Sequence, residues 1–169
     1  MRRPWVAALA LVLGCGEPSR MDRFMPGSVR TVLEAPDSVQ VIRIDSALPH
    51  PRSSEKATSE EIYSRFPEVA QATVQGDLRA QLLRLLLDPA SYNFDAKGCI
   101  PDPGAKIRIA RGSSVVVFFF CFHCREVLRS GPDGGYQNDH WAEFDPSEPA
   151  LRKIVQSLFP NDEGIQELK

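Results

Sequence analysis

The residues best suited to chemistry lie in one short run, Cys121-Phe122-His123-Cys124, with Cys99 upstream and His140 downstream. Three chemistries use such a set. A C-x-x-C fed by a strand onto a helix N-terminus is a redox couple, because the helix end lowers one thiol pKa. Four sulfur or nitrogen donors hold zinc or copper, and Cys99, Cys121 and Cys124 with His123 or His140 make such a set. Two converging cysteines make a structural disulfide. The surroundings speak against the first two. The residues after Cys124 (REVLRSGPDGG) reach a turn within seven positions, no βαβ pattern precedes them, and no cis-proline strand follows. The spacing C-x21-C-x2-C has no second C-x-x-C, and C-F-H-C is not the C-x-x-C-H of haem attachment. His123 has no carboxylate or serine at a recognisable spacing, and His50 lies between two prolines. The chain has no G-x-S-x-G, H-E-x-x-H, P-loop or G-x-G-x-x-G.

The elements around the C-x-x-C follow from hydrophobic period. Ile107 and Ile109 alternate with Lys106 and Arg108, as in a half-buried strand. Arg111-Gly112-Ser113-Ser114 supplies a turn, and Val115 to Cys124 is a β-branched and aromatic run. Pairing Ala110 with Val115 sets Ile109 opposite Val116 and Ile107 opposite Phe118, and opposed residues share a face. One face then carries Ile107, Ile109, Val116, Phe118, Phe120, Phe122 and Cys124, a core face. The other is mixed, with Lys106, Arg108, Val115, Val117, Phe119, Cys121 and His123. The same register sets Cys99 opposite residue 126, on the face of Cys124 and one diagonal step from it.

Beyond the hairpin, Val29–Leu33 and Ser38–Ile44 read as strands, Val69–Val74 as a short one, and a further strand is expected around Trp141 after the turn at GPDGG. Residues 48–61, rich in proline and serine, read as a loop. A helix is expected over Leu78–Leu87, with Asp77 as N-cap and Leu78, Leu82, Leu85 and Leu86 on one face. A second is expected from Pro146, capped by Asp145, with Leu151, Ile154, Val155 and Leu158 as its stripe and Pro160 as its stop. The predicted fold is α+β: an antiparallel sheet of four to six strands with two helices packed on one face. A chain of 169 residues, 43% apolar and 25% charged, suits one such domain. The formal charge of -2 comes without a basic run, which argues against nucleic acid as a partner.

The N-terminus, MRRPWVAALALVLGCGEPSR, has two arginines and then nine apolar residues from Trp5 to Leu13. Nine is too few to span a bilayer, which takes about 20, but suits the core of an export signal. The run ends in Val12-Leu13-Gly14-Cys15, which resembles the lipobox of bacterial lipoproteins. That resemblance implies a diacylglycerol thioether on Cys15, cleavage after Gly14 and acylation of the new N-terminus by a chain such as palmitate. The competing readings are an ordinary signal cut near Ala8-Leu9-Ala10 and a buried helix. Several acyl chains anchor stably where one is marginal. Gly16 rather than aspartate after the cysteine favours an outer-membrane destination. Loss of residues 1–14 removes two arginines and no acid, taking the formal charge from -2 to -4. The expected organisation is thus a signal peptide over 1–14, a lipid-anchored tether over 15–28 and one domain over 29–169.

Export places the remaining cysteines in an oxidising compartment. With Cys15 acylated, three are left, so one cannot pair within the chain. The expected structural bond is Cys99–Cys124 or Cys99–Cys121; the shared face favours Cys99–Cys124, with Cys121 free beside His123.

The block from Cys99 to Phe159 resembles a group of bacterial proteins of unassigned activity. It does so through Cys99-Ile100-Pro101-Asp102, the Arg108…Gly112 hairpin, Cys121-Phe122-His123-Cys124, Phe144-Asp145-Pro146 and the helix ending Leu158-Phe159-Pro160-Asn161-Asp162. The expected function is a lipid-anchored cell-envelope protein, a non-enzymatic binding or structural module with no cofactor. Its partners would be the membrane, through the anchor, and an envelope protein or other envelope component. The alternative is a zinc, copper or thiol-redox site using Cys121, His123 and Cys124.

Overall fold

The hairpin that carries the cysteine run sits at the middle of the sheet. In a computed structural model, which describes residues 17–45, 65–95, 102–133 and 140–168, six strands form one sheet. They are β1 (Ser38–Ile44), β2 (Glu68–Thr73), β3 (Ala105–Arg111), β4 (Ser114–Cys121), β5 (Glu126–Ser130) and β6 (Trp141–Glu143), in the order β2-β1-β3-β4-β5-β6. Every neighbouring pair is antiparallel. The β3–β4 register is the expected one: Ala110 opposes Val115, Ile109 opposes Val116 and Ile107 opposes Phe118. Pairing continues to Arg111 opposite Ser114, so the turn is shorter than the four residues expected. Only Gly112 and Ser113 stand outside the ladder. Gly112 has φ +56, the left-handed conformation that a two-residue hairpin loop needs at its first position.

The helices are α1 (Arg20–Phe24), α2 (Gly27–Glu34), α3 (Gly76–Leu87), α4 (Glu148–Leu158) and the short α5 (Glu163–Gln166). The described helices exceed the two expected, and their apolar residues join the same sheet face. Val29, Val32 and Leu33 of α2, Leu82 and Leu86 of α3, and Leu151, Ile154 and Val155 of α4 form one core with Val39, Val41, Ile107, Ile109, Val116, Phe118 and Phe120. Rings knit this layer together. Phe118 lies 6.2 Å from Phe120 and 6.4 Å from Phe24, and Phe120 meets Phe144 edge-on at 5.0 Å, within the span of favourable aromatic pairs.

Four expectations are corrected. Val29–Leu33 is helix, not strand: its β-branched residues suggest a strand, but the buried positions Val29, Val32 and Leu33 follow the helical i, i+3, i+4 spacing. Residues 20–28 are not tether, because α1 and the start of α2 occupy them and Phe24 and Met25 are fully buried. Helix α3 starts two residues early, with Gln75 at the cap position and Asp77 in the first turn, where its charge suits the helix dipole. Helix α4 starts late, at Glu148, because Asp145 pairs with Arg125 at 3.3 Å instead of capping. Ser147, at its cap position, donates its hydroxyl to the Ser91 carbonyl at 3.1 Å.

Candidate functional site

The cysteine run lies on the β4–β5 connection. β4 ends at Cys121 and β5 begins opposite it at Glu126, so Phe122–Arg125 is a four-residue loop. Arg125 closes it with φ +57. The chain passes from strand to strand, with no helix after Cys124. The thiol-lowering helix end that a redox C-x-x-C uses is therefore missing from this place. Phe122 turns into the helix-side core, whereas His123 points to solvent.

Cys121 is a buried free thiol. Its Sγ accepts N–H bonds from Cys124 and Asp102, each at 3.2 Å. Burial pushes the thiol pKa up, helped by the nearby carboxylates of Asp102 and Glu126, and the two N–H bonds only partly oppose it. Cys121 is thus a neutral thiol at ordinary pH, a weak nucleophile and a weak ligand. Cys124 is disulfide-bonded, and since Cys121 is free the two do not bond to each other. The other half of that bond lies outside the described residues, as do Cys15 and Cys99.

A second cluster escaped sequence reasoning. Arg129 is fully buried in β5, on the helix-side face opposite Phe118. Its guanidinium donates two parallel bonds to Asp133, at 2.7 and 2.8 Å, the fork geometry that carboxylates match best. His140 Nε2 lies 3.5 Å from Asp133 Oδ2, the oxygen that also accepts the Arg129 Nη2 bond. Partial burial works to raise the Asp133 pKa, but the Arg129 bonds and charge outweigh it and hold the carboxyl below its usual range. The turn is tightly built: a Cβ on Gly131 would sit 2.7 Å from Arg129 Nη1 and 3.2 Å from Val29 of α2. An arginine inside β5 gives no sequence signal of burial. The one available hint was Asp133 four residues later, across the proline turn.

Of the metal candidates, Cys99 lies outside the described residues, and the others are not brought together as a ligand set. His140 is engaged with Asp133, His123 is exposed, and Cys124 is oxidised. Among the described residues no group of three His, Cys, Asp or Glu side chains converges as a metal site. An open groove of about 680 Å³ lies between α2 and the β3–β4 loop. Its charged residues are already engaged: Asp37 accepts the Gly112 N–H at 2.6 Å, and Arg111 donates to the Thr31 carbonyl at 2.7 Å. Among the described residues no helix is long and apolar enough to cross a membrane.

No protein-family model and no curated protein matches this chain. Its fold is similar to the crystal structure of a candidate lipoprotein from Clostridium perfringens, with a TM-score of 0.51 and 14% identity. The likeness covers 86% of this chain and all of that one. At that identity the likeness is one of fold: the α+β arrangement recurs over a whole chain.

Proposed function

We propose that the chain is a lipid-anchored protein of the bacterial cell envelope, acylated at Cys15, whose domain is a non-enzymatic binding or structural module. The observation that carries this is the ordered series Arg2-Arg3, the apolar run Trp5–Leu13 and Val12-Leu13-Gly14-Cys15. The fold supports it, being shared with a protein described as a candidate lipoprotein. Gly16 favours the outer membrane as the destination, and the net acidic mature domain leaves membrane attachment to the acyl chains. The binding-module reading is supported by the placement of Cys121, His123 and His140, which are respectively buried, solvent-facing and tied to Asp133.

Cell fractionation tests the anchor. The wild-type protein partitions with membranes, and Cys15→Ser abolishes processing at that site. Recovery of unmodified wild type in the soluble periplasmic fraction contradicts it.

The same reading assigns the disulfide. Acylation occupies the Cys15 sulfur and Cys121 is free, which leaves Cys99 for Cys124. The Asp102 N–H on Cys121 Sγ supports this, since it holds the chain three residues beyond Cys99 against the β4–β5 loop. Non-reducing peptide mapping links the peptides of residues 99 and 124. A Cys121–Cys124 linkage in the native protein overturns the assignment and revives the thiol-redox alternative.

A further inference from the structure

The folded part begins much closer to Cys15 than composition suggests. Ser19 caps α1 in a reciprocal capping box: its Oγ accepts the Asp22 N–H at 3.1 Å, and its own N–H donates to Asp22 Oδ2 at 3.2 Å. Arg23 extends the order backwards by donating to the Pro18 carbonyl at 2.8 Å. Arg20 then ties the helix to the Phe94 carbonyl, and Phe24 packs on Tyr92, Phe94 and Phe118 at 5.1, 5.8 and 6.4 Å. The chain is thus fastened to the domain from Pro18 onward. Only Gly16 and Glu17 stand between that point and Cys15. At ~3.3–3.6 Å per extended residue, three steps reach about 10 Å. The headgroup layer on one side of a bilayer is roughly 5–8 Å deep. A glycerol-linked cysteine at that layer leaves about 2–5 Å of slack, too little for a free-swinging domain.

We infer that the α1 edge of the domain rests on the lipid headgroup surface, so that the module serves partners at that surface and not distant ones. This rests on the acylation of Cys15 proposed above. The surface in question carries Glu17, Arg20, Asp22 and Arg23, two acids and two bases. That balance suits a zwitterionic headgroup layer without strong attraction or repulsion. Because α1 packs on the helix-side core through Phe24, the opposite sheet face, with the exposed Arg108, is turned away from the contact. A domain of roughly 150 residues has a radius of gyration near ~15 Å, so it spans about 40 Å. A module held this way meets only components embedded in the membrane or lying within about one domain width of it.

The test uses the processed, acylated protein in phosphatidylethanolamine–phosphatidylglycerol vesicles containing a lipid with a nitroxide on its headgroup. A fluorophore is placed at Glu17→Cys or at Arg108→Cys, with the unsubstituted protein as blank for the buried Cys121. Quenching at position 17 is expected to exceed that at 108 at least three-fold. Inserting about twenty glycine and serine residues after Gly16, whose mean end-to-end distance is ~25 Å, should remove the difference. Equal quenching at both positions, in protein that floats with the vesicles, overturns the close contact while the anchor stands. Protein that fails to float overturns the anchor itself, and the contact with it.

Discussion

On the helix-covered face of the sheet, Val39, Val41, Ile107, Ile109, Val116, Phe118 and Phe120 are all buried, at no more than 1% exposure, beneath three helices. On the other face the buried cluster is Ile44, Phe66, Phe119 and Leu128, edged by half-buried Val117 and Trp141. Lys106 and Arg108 share that second face, Lys106 pairing with Glu68 and Arg108 reaching Gln40 at 3.4 Å. The two faces come from the same strands and differ by one step of alternation. The difference teaches where this fold keeps its stability and where it tolerates polar side chains. The helix side is continuous and ring-locked. The other side mixes a small apolar island with charged stems and the buried Cys121 thiol.

Truncating one phenylalanine on each face measures this contrast. Phe120→Ala, which removes contacts to Phe118, Phe122 and Phe144, should cost about 4 kcal/mol in denaturant unfolding, whereas Phe119→Ala should cost nearer ~2 kcal/mol. The reverse ranking would break the assignment of the main core to the helix side. The next effect belongs to the loop that joins the faces. Loss of a bond between Cys99 and Cys124, by Cys124→Ser, should cost about 3 kcal/mol, since cross-linking a loop of roughly 25 residues removes that much chain entropy. An unchanged unfolding midpoint would show that the bond does not constrain the fold.

The smallest effect sharpens the comparison, because it concerns a fully buried charge on the apolar side. Asp133→Asn leaves Arg129 buried with a weaker partner and should cost about 2 kcal/mol, below the value for a fully buried pair because Asp133 keeps 22% exposure. The pH sign follows from the depressed Asp133 pKa. Its contribution is complete above the unfolded carboxyl pKa, about 3.9, and is lost as pH falls through the lower folded value. The gap between wild type and Asp133→Asn should therefore be constant near neutrality and close as pH drops below about 4. A gap that widens in acid would assign the stabilisation to another group.

The hairpin was legible because alternation and a Gly-containing turn fix register locally, and Ile107 opposite Phe118 follows from them. The stripes of α3 and α4 were legible for the same reason. α2 was not, because Val29, Thr31 and Val32 favour a strand while the decisive fact, helical burial against β3 and β4, is tertiary. Strand β5, with Arg129 inside it, went unread, since an arginine is buried only where a distant residue such as Asp133 meets it. Cys121 beside His123 suggested chemistry through spacing alone. The four-residue loop separates them, burying one side chain and exposing the other.

The anchor at Cys15 is the claim on which localisation, disulfide pairing and membrane contact all depend. Its most direct test is mass spectrometry of the N-terminal peptide of the protein purified from its own membranes. The account predicts a chain that begins at Cys15 and carries a diacylglycerol thioether and an amide-linked acyl group. A chain that begins after Ala10, or one with an unmodified Cys15, would contradict it.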